Sequence, residues 1–160
     1  MMGGQMEDSM EPLQTMSTDW NGWMQPVNAQ EVVVEVESVG TRAAVTSRVL
    51  RPRGPLRRAQ WTENVMPVEL VREAVRLRAF MAQSGGGAWT WAALSMKSSE
   101  GYKLVSDFDY DREQVLSPPY TAEDCAKELE IFPRDPRAVP DCMNRRPLPT
   151  AMPQCADGDG

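Results

Sequence analysis

The chain predicts an α+β fold, a small antiparallel β-sheet packed against one main helix and a short C-terminal helix. Three observations carry this. A Val-rich alternating segment is followed by a tight turn and a second β-prone run, a single long stretch has apolar residues at helical spacing, and a later pair of strand-like segments is joined by a short polar connection. A length of 160 residues with 41% hydrophobic content supports one modest core. That core is expected within residues 31–143 as a single domain.

The elements follow in chain order. Residues 1–30 hold four acids and no base, with Trp20 and Trp23 among scattered Met, Gly and Ser, and show no sustained period. They are expected to be disordered. In residues 31–37 (EVVVEVE), Val32, Val34 and Val36 share one strand face and Glu31, Glu35 and Glu37 the other. Residues 38–40 supply a Gly-containing turn, and residues 41–50 (TRAAVTSRVL) form the antiparallel partner. Residues 51–60 (RPRGPLRRAQ), with two prolines and a glycine, read as an exposed loop.

Residues 67–82 (PVELVREAVRLRAFMA) are the clearest helix. Pro67 suits its first turn, Glu69 and Glu73 lie toward the amino end, and Arg76 and Arg78 lie toward the carboxyl end, where they complement the helix dipole. Leu70, Ala74, Leu77 and Met81, flanked by Val71 and Val75, form a stripe that should face a sheet. Residues 85–87 are glycines that stop the helix. Residues 88–96 and 102–110 form a second hairpin, with Tyr102, Leu104, Phe108 and Tyr110 inward and Lys103, Asp107 and Asp109 outward. Residues 121–131 read as a short helix capped by Thr121 with Asp124, burying Cys125, Leu129 and Ala122. Residues 144–160 form a Pro-rich tail expected to be disordered.

The chain has no His, which removes His general bases, Ser-His or Cys-His nucleophile pairs and His-ligated zinc. Its three cysteines, Cys125, Cys142 and Cys155, match no metal knuckle and suit free thiols in a reducing cytoplasm. No signal peptide or apolar run of membrane-spanning length is read, so no membrane association is expected, and no cofactor is expected either. A net charge of −6 argues against nonspecific nucleic-acid binding and favours a basic partner.

That charge is uneven. From Glu100 to Glu130 nine acids face three bases, and Asp107, Asp109 and Asp111 are expected on one strand face with Glu113 just beyond. Three chemistries compete for this cluster. A hard cation would use such oxygens, as in a metal-dependent enzyme, but the calcium-loop pattern fails at Arg112 and Pro118. A solvated strand face is the plain alternative. Recognition of a basic partner is the third, with Asp107, Asp109, Tyr110, Asp111, Glu113, Glu123 and Asp124 as candidate contacts. Elsewhere Arg42, Arg48, Arg51, Arg53, Arg57 and Arg58 make a basic segment without acids, which suits charge balancing better than nucleic-acid binding because no base-stacking aromatics interleave with it.

The order VELVREAVRLRAFM, a Gly-rich break, WTWAALSMKSSEGYKLVSDFDYD, Tyr120, an acidic short helix and LEIFPRDPRAVPD resembles YezG-type immunity proteins, the antitoxins of bacterial polymorphic toxin systems. The resemblance spans roughly residues 61–143. It implies an α+β fold, no catalytic activity, and binding and neutralisation of a cognate toxin, frequently a nuclease, inside the producing cell. Cys142 follows VPD where such sequences tend to carry Trp, and no family helix is read before the first strand. The alternative is a non-catalytic interaction domain without a toxin partner.

Overall fold

A computed structural model describes residues 3–52 and 54–144, with only the backbone of residues 3–10 and 144. The chain folds as α1 (Gly3–Met24), β1 (Glu31–Val39), β2 (Arg42–Pro52), β3 (Ala59–Glu63), α2 (Val68–Phe80), β4 (Trp91–Lys97), β5 (Lys103–Asp109), α3 (Ala122–Ile131) and α4 (Asp141–Asn144). The strands make one antiparallel sheet in the order β3-β2-β1-β4-β5. The expected α+β class is therefore observed.

The central strand β1 is specified by its alternation. Val32, Val34 and Val36 are fully buried beneath the helices, and register carries the same inner face through Val49 of β2 and Ala92, Leu94 and Met96 of β4. Slipping β1 by one residue would put Glu35 into that core, so the pattern itself holds the pairing. Gly40, at φ 65°, closes the β1–β2 hairpin as the turn chemistry requires.

Helix α2 lies on this inner face through Ala74 and Leu77, as its stripe predicts, with Leu70, Val71, Val75 and Met81 partly buried beside them. The first correction is α1. Residues 3–24 form a helix instead of a disordered segment, and Met16, Trp20 and Met24 are fully buried against α2 and the sheet. Their spacing of four places them on one helix face, with Leu13 and Trp23 packed alongside. Pro12, Gly22 and the lack of charged pairs hide this stripe, so tertiary burial rather than helix propensity makes the helix. The Trp20 indole Nε1 donates to the Leu70 carbonyl at 3.3 Å, which satisfies its one polar group.

The second correction concerns residues 51–60. Strand β2 continues to Pro52 and Ala59 begins β3, with Arg51 opposite Gln60, so only residues 53–58 connect them. Pro52 is tolerated because it sits at the strand's last position. In α3 Cys125 and Glu128 are buried while Ala122 is exposed, contrary to the expected burial of Ala122. The 145–160 part of the predicted tail, like Arg53, lies outside the described residues. No described helix is long and apolar enough to cross a membrane.

A smaller second core, Val39, Leu116, Cys125, Cys142 and Met143, joins α3 and α4 to the β1–β2 turn. Helices α1 and α2 thus cover one sheet face, and α3 covers only one end of the molecule.

Candidate functional site

The end of the sheet where α3 docks is organised by a charge that the sequence assigned only to the carboxyl end of α2, where it complements the helix dipole. Arg78 is 4% exposed, and its guanidinium meets Glu128 of α3 at 2.6 Å. It also donates to the Trp89 carbonyl at 2.6 Å and the Ser38 carbonyl at 3.3 Å. The second Glu128 oxygen accepts from the Gly40 amide at 2.8 Å, and Gln114 donates to Ser38 at 2.9 Å. One buried pair therefore ties α2, α3, the first hairpin turn and the 114 loop together. The signal existed, since position 78 lies four residues after Ala74 on the buried stripe.

Arg134, in the FPR element, is a second strut. Its side chain is 1% exposed and donates to the carbonyls of Tyr110 at 2.6 Å, Ala88 at 2.9 Å and Ala138 at 2.9 Å, with Asp111 at 3.3 Å. Gly87, at φ 76°, makes room for it, since a Cβ there would run into the Arg134 side chain. The Gly-rich break thus serves the strut as well as ending a helix.

Against this frame the seven candidate contacts separate. Asp107 projects from the outer face of β5 and is exposed, without a hydrogen bond or ion pair among the described residues. Asp109 is committed locally, because its Oδ1 accepts from the amides of Asp111 and Arg112 at 2.9 and 3.0 Å and turns the chain out of the strand. Asp111 consequently leaves the strand face. The expected row of three aspartates is corrected to one exposed acid, one turn-forming acid and one acid beside Arg134.

Tyr110 donates to the Met81 carbonyl at 3.1 Å, and burial, outweighing the nearby Arg134 charge, pushes its phenol up. Tyr120 donates to Glu113 at 2.7 Å; burial and then this carboxylate push the phenol well above its ordinary value. Glu123 is exposed in the first turn of α3, where its charge suits the helix dipole. Asp124 completes a true capping box with Thr121, the two bonds at 2.9 and 3.1 Å, and pairs with Arg42 at 2.8 Å. Burial raises its carboxyl, but the Thr121 amide and the Arg42 guanidinium outweigh it and hold the group below the usual carboxylate range.

Tyr110, Asp111 and Glu113 do come together, lining an open cleft of about 650 Å³ with Arg134, Arg137 and Asp141. Asp107, Glu123 and Asp124 stand outside it. Three acids and two arginines give this cleft mixed charge, and Glu113 and Asp111 already have partners within it. Among the described residues no group of acids and cysteines stands close enough to hold a metal ion. Burial, with nearby Cys142 and acids, pushes the Cys125 thiol up to about 11, so at neutral pH it is a packed thiol rather than a nucleophile.

The outer sheet face was not assembled by sequence reading. Register sets Glu35 of β1 beside Ala93 of β4 and Asp107 of β5 in one row, and Glu37, Trp91 and Asp109 in the next. Arg112 lies over the Trp91 ring at 4.5 Å. The basic segment is divided in turn: Arg42 is paired at the acidic end, Arg48 stacks on Trp61 at 5.2 Å, and Arg51, Arg57 and Arg58 lie toward the opposite end of the sheet. No protein-family model matches the chain, and no curated protein matches it.

Proposed function

We propose that this protein acts by binding, as an immunity-type antitoxin that occludes a basic toxin domain with the outer face of its sheet. The observation that carries the reading is the one-sided construction: helices occupy the inner face, while Glu35 and Asp107 stand in one row on a face that neither α1 nor α2 covers. The resemblance of residues 61–143 to YezG-type immunity proteins supports the same assignment. Carboxylates on a broad sheet face meet the Lys and Arg by which a nuclease-like partner would hold phosphates, and the half-buried Trp91 in the neighbouring row contributes a large contact surface.

Of the predicted contacts, Asp107 keeps this role on the sheet face, while Asp111 and Glu123 are exposed acids off that face. Asp109 and Asp124 are supports, and Tyr110 and Glu113 shape the adjoining cleft. The test is coexpression with basic toxin domains from bacterial polymorphic toxins, any encoded beside the gene included, read as rescue of growth and as a salt-sensitive complex. Rescue by the native chain and its loss in the Glu35→Lys, Asp107→Lys double variant are the expected results. Failure to neutralise any such domain, or rescue indifferent to the double variant, overturns the reading.

A further inference from the structure

Strand β5 ends the sheet, and no loop or helix among the described residues hydrogen-bonds to the backbone of residues 103–108 other than through its pairing with β4. A free edge presents unpaired amides and carbonyls that another strand can satisfy. Val105, on the outer side of this edge, is 47% exposed, and Lys103 and Asp107 flank it two residues away on the same side. Neither charge has an ion pair among the described residues. Read against itself in antiparallel sense about Val105, the strand is self-complementary: Lys103 meets Asp107, Asp107 meets Lys103, and Val105 meets Val105.

We propose that β5 is a dimerisation edge, pairing antiparallel with β5 of a second copy about a two-fold axis at Val105. Opposite charges placed across neighbouring strands favour this arrangement, and the two Val105 side chains shield each other from water. The rival register, centred on Ser106, sets Lys103 against Asp109, whose carboxylate is already engaged by the Asp111 and Arg112 amides. The other edge, β3, has no such match, because pairing about Trp61 sets Glu63 against Ala59. The product is a continuous ten-stranded sheet that places two outer faces side by side, and it stands whether or not the partner is a toxin.

Sedimentation of the full chain at roughly 10–500 µM tests it, because a two-strand contact belongs to the small, transient class of interface. A reversible dimer is expected. Lys103→Asp should weaken it at least about tenfold by setting acids against acids, and adding Asp107→Lys should restore it. In a Cys155→Ser background, Val105→Cys should form a disulfide dimer faster than Ser106→Cys, because only the residue on the axis faces its own copy. A monomer throughout the range, or a dimer indifferent to Lys103→Asp, overturns the proposal. Faster crosslinking through Ser106→Cys overturns the register.

Discussion

The two helical attachments of this sheet work by different physics. On the inner face α1 and α2 are held by apolar area, with Met16, Trp20, Met24 and Leu77 fully buried. At the other attachment α3 adds to a small apolar cluster around Cys125 two ion pairs, Arg78–Glu128 in the interior and Arg42–Asp124 nearer the surface. The contrast teaches that acid-rich sequence is not the same as acidic surface. Glu128, Asp124, Asp109 and Glu113 are spent on hydrogen bonds within the fold, whereas Glu35 and Asp107 on the outer sheet face make no such bond among the described residues.

The largest effect that would sharpen this contrast is at the interior pair. Arg78→Ala should cost about 3–5 kcal/mol of stability, because Glu128 would be left as an unpaired buried charge. Urea unfolding measures it, and the double variant Arg78→Met, Glu128→Leu should lose less than either single change. Trp20→Ala should cost about 3 kcal/mol by leaving a cavity between α1 and α2. An unfolding midpoint equal to that of the native chain would show that α1 adds nothing to the inner layer.

The two attachments should also differ in their response to pH. Burial, followed by the neighbouring Asp19 carboxyl, raises Glu73 from 4.5 to about 7 in the folded chain. A raised carboxyl binds its proton more tightly when folded, so this contribution is complete below about 4.5 and disappears as pH rises through about 7. Asp124 runs the other way, its support being present above its unfolded value and lost as acid protonates it. Glu73→Gln should therefore flatten the decline in the unfolding midpoint between pH 4.5 and 7, and an unchanged profile would refute the role of Glu73.

Smaller still, Thr121→Ala should cost about 1 kcal/mol by removing one half of the α3 capping box. Asp107→Asn should leave stability within about 0.5 kcal/mol of the native chain, since its side chain supports nothing in the fold. A larger loss in the unfolding midpoint would mean that the outer-face acid is also structural.

Much of the fold is legible in the chain. Period-two Val in β1, the apolar stripe of α2 and the Thr121–Asp124 spacing are local patterns, and each produces the element it predicts. Helix α1 was legible in principle through Met16, Trp20 and Met24, but four-residue spacing in a segment containing Pro12 and Gly22 is weak until a sheet supplies something to bury it against. The candidate site was less legible. Asp109 and Asp111 look like strand neighbours, and only the turn made by the Asp109 carboxylate parts them.

By itself, then, the sequence determined the segments β1, β2, α2, β4, β5 and α3 and which faces of the strands and of α2 are apolar, because those properties depend on neighbours within a few residues, whereas α1 and β3 needed the sheet and its pairing. The tertiary structure decided which charges are free. Arg78 finds Glu128 across 50 positions, Arg134 finds Tyr110 across 24, and Glu35 comes into one row with Asp107 through β4. A charge's role depends on desolvation and on partners brought close by chain folding, and neither quantity is a property of local spacing.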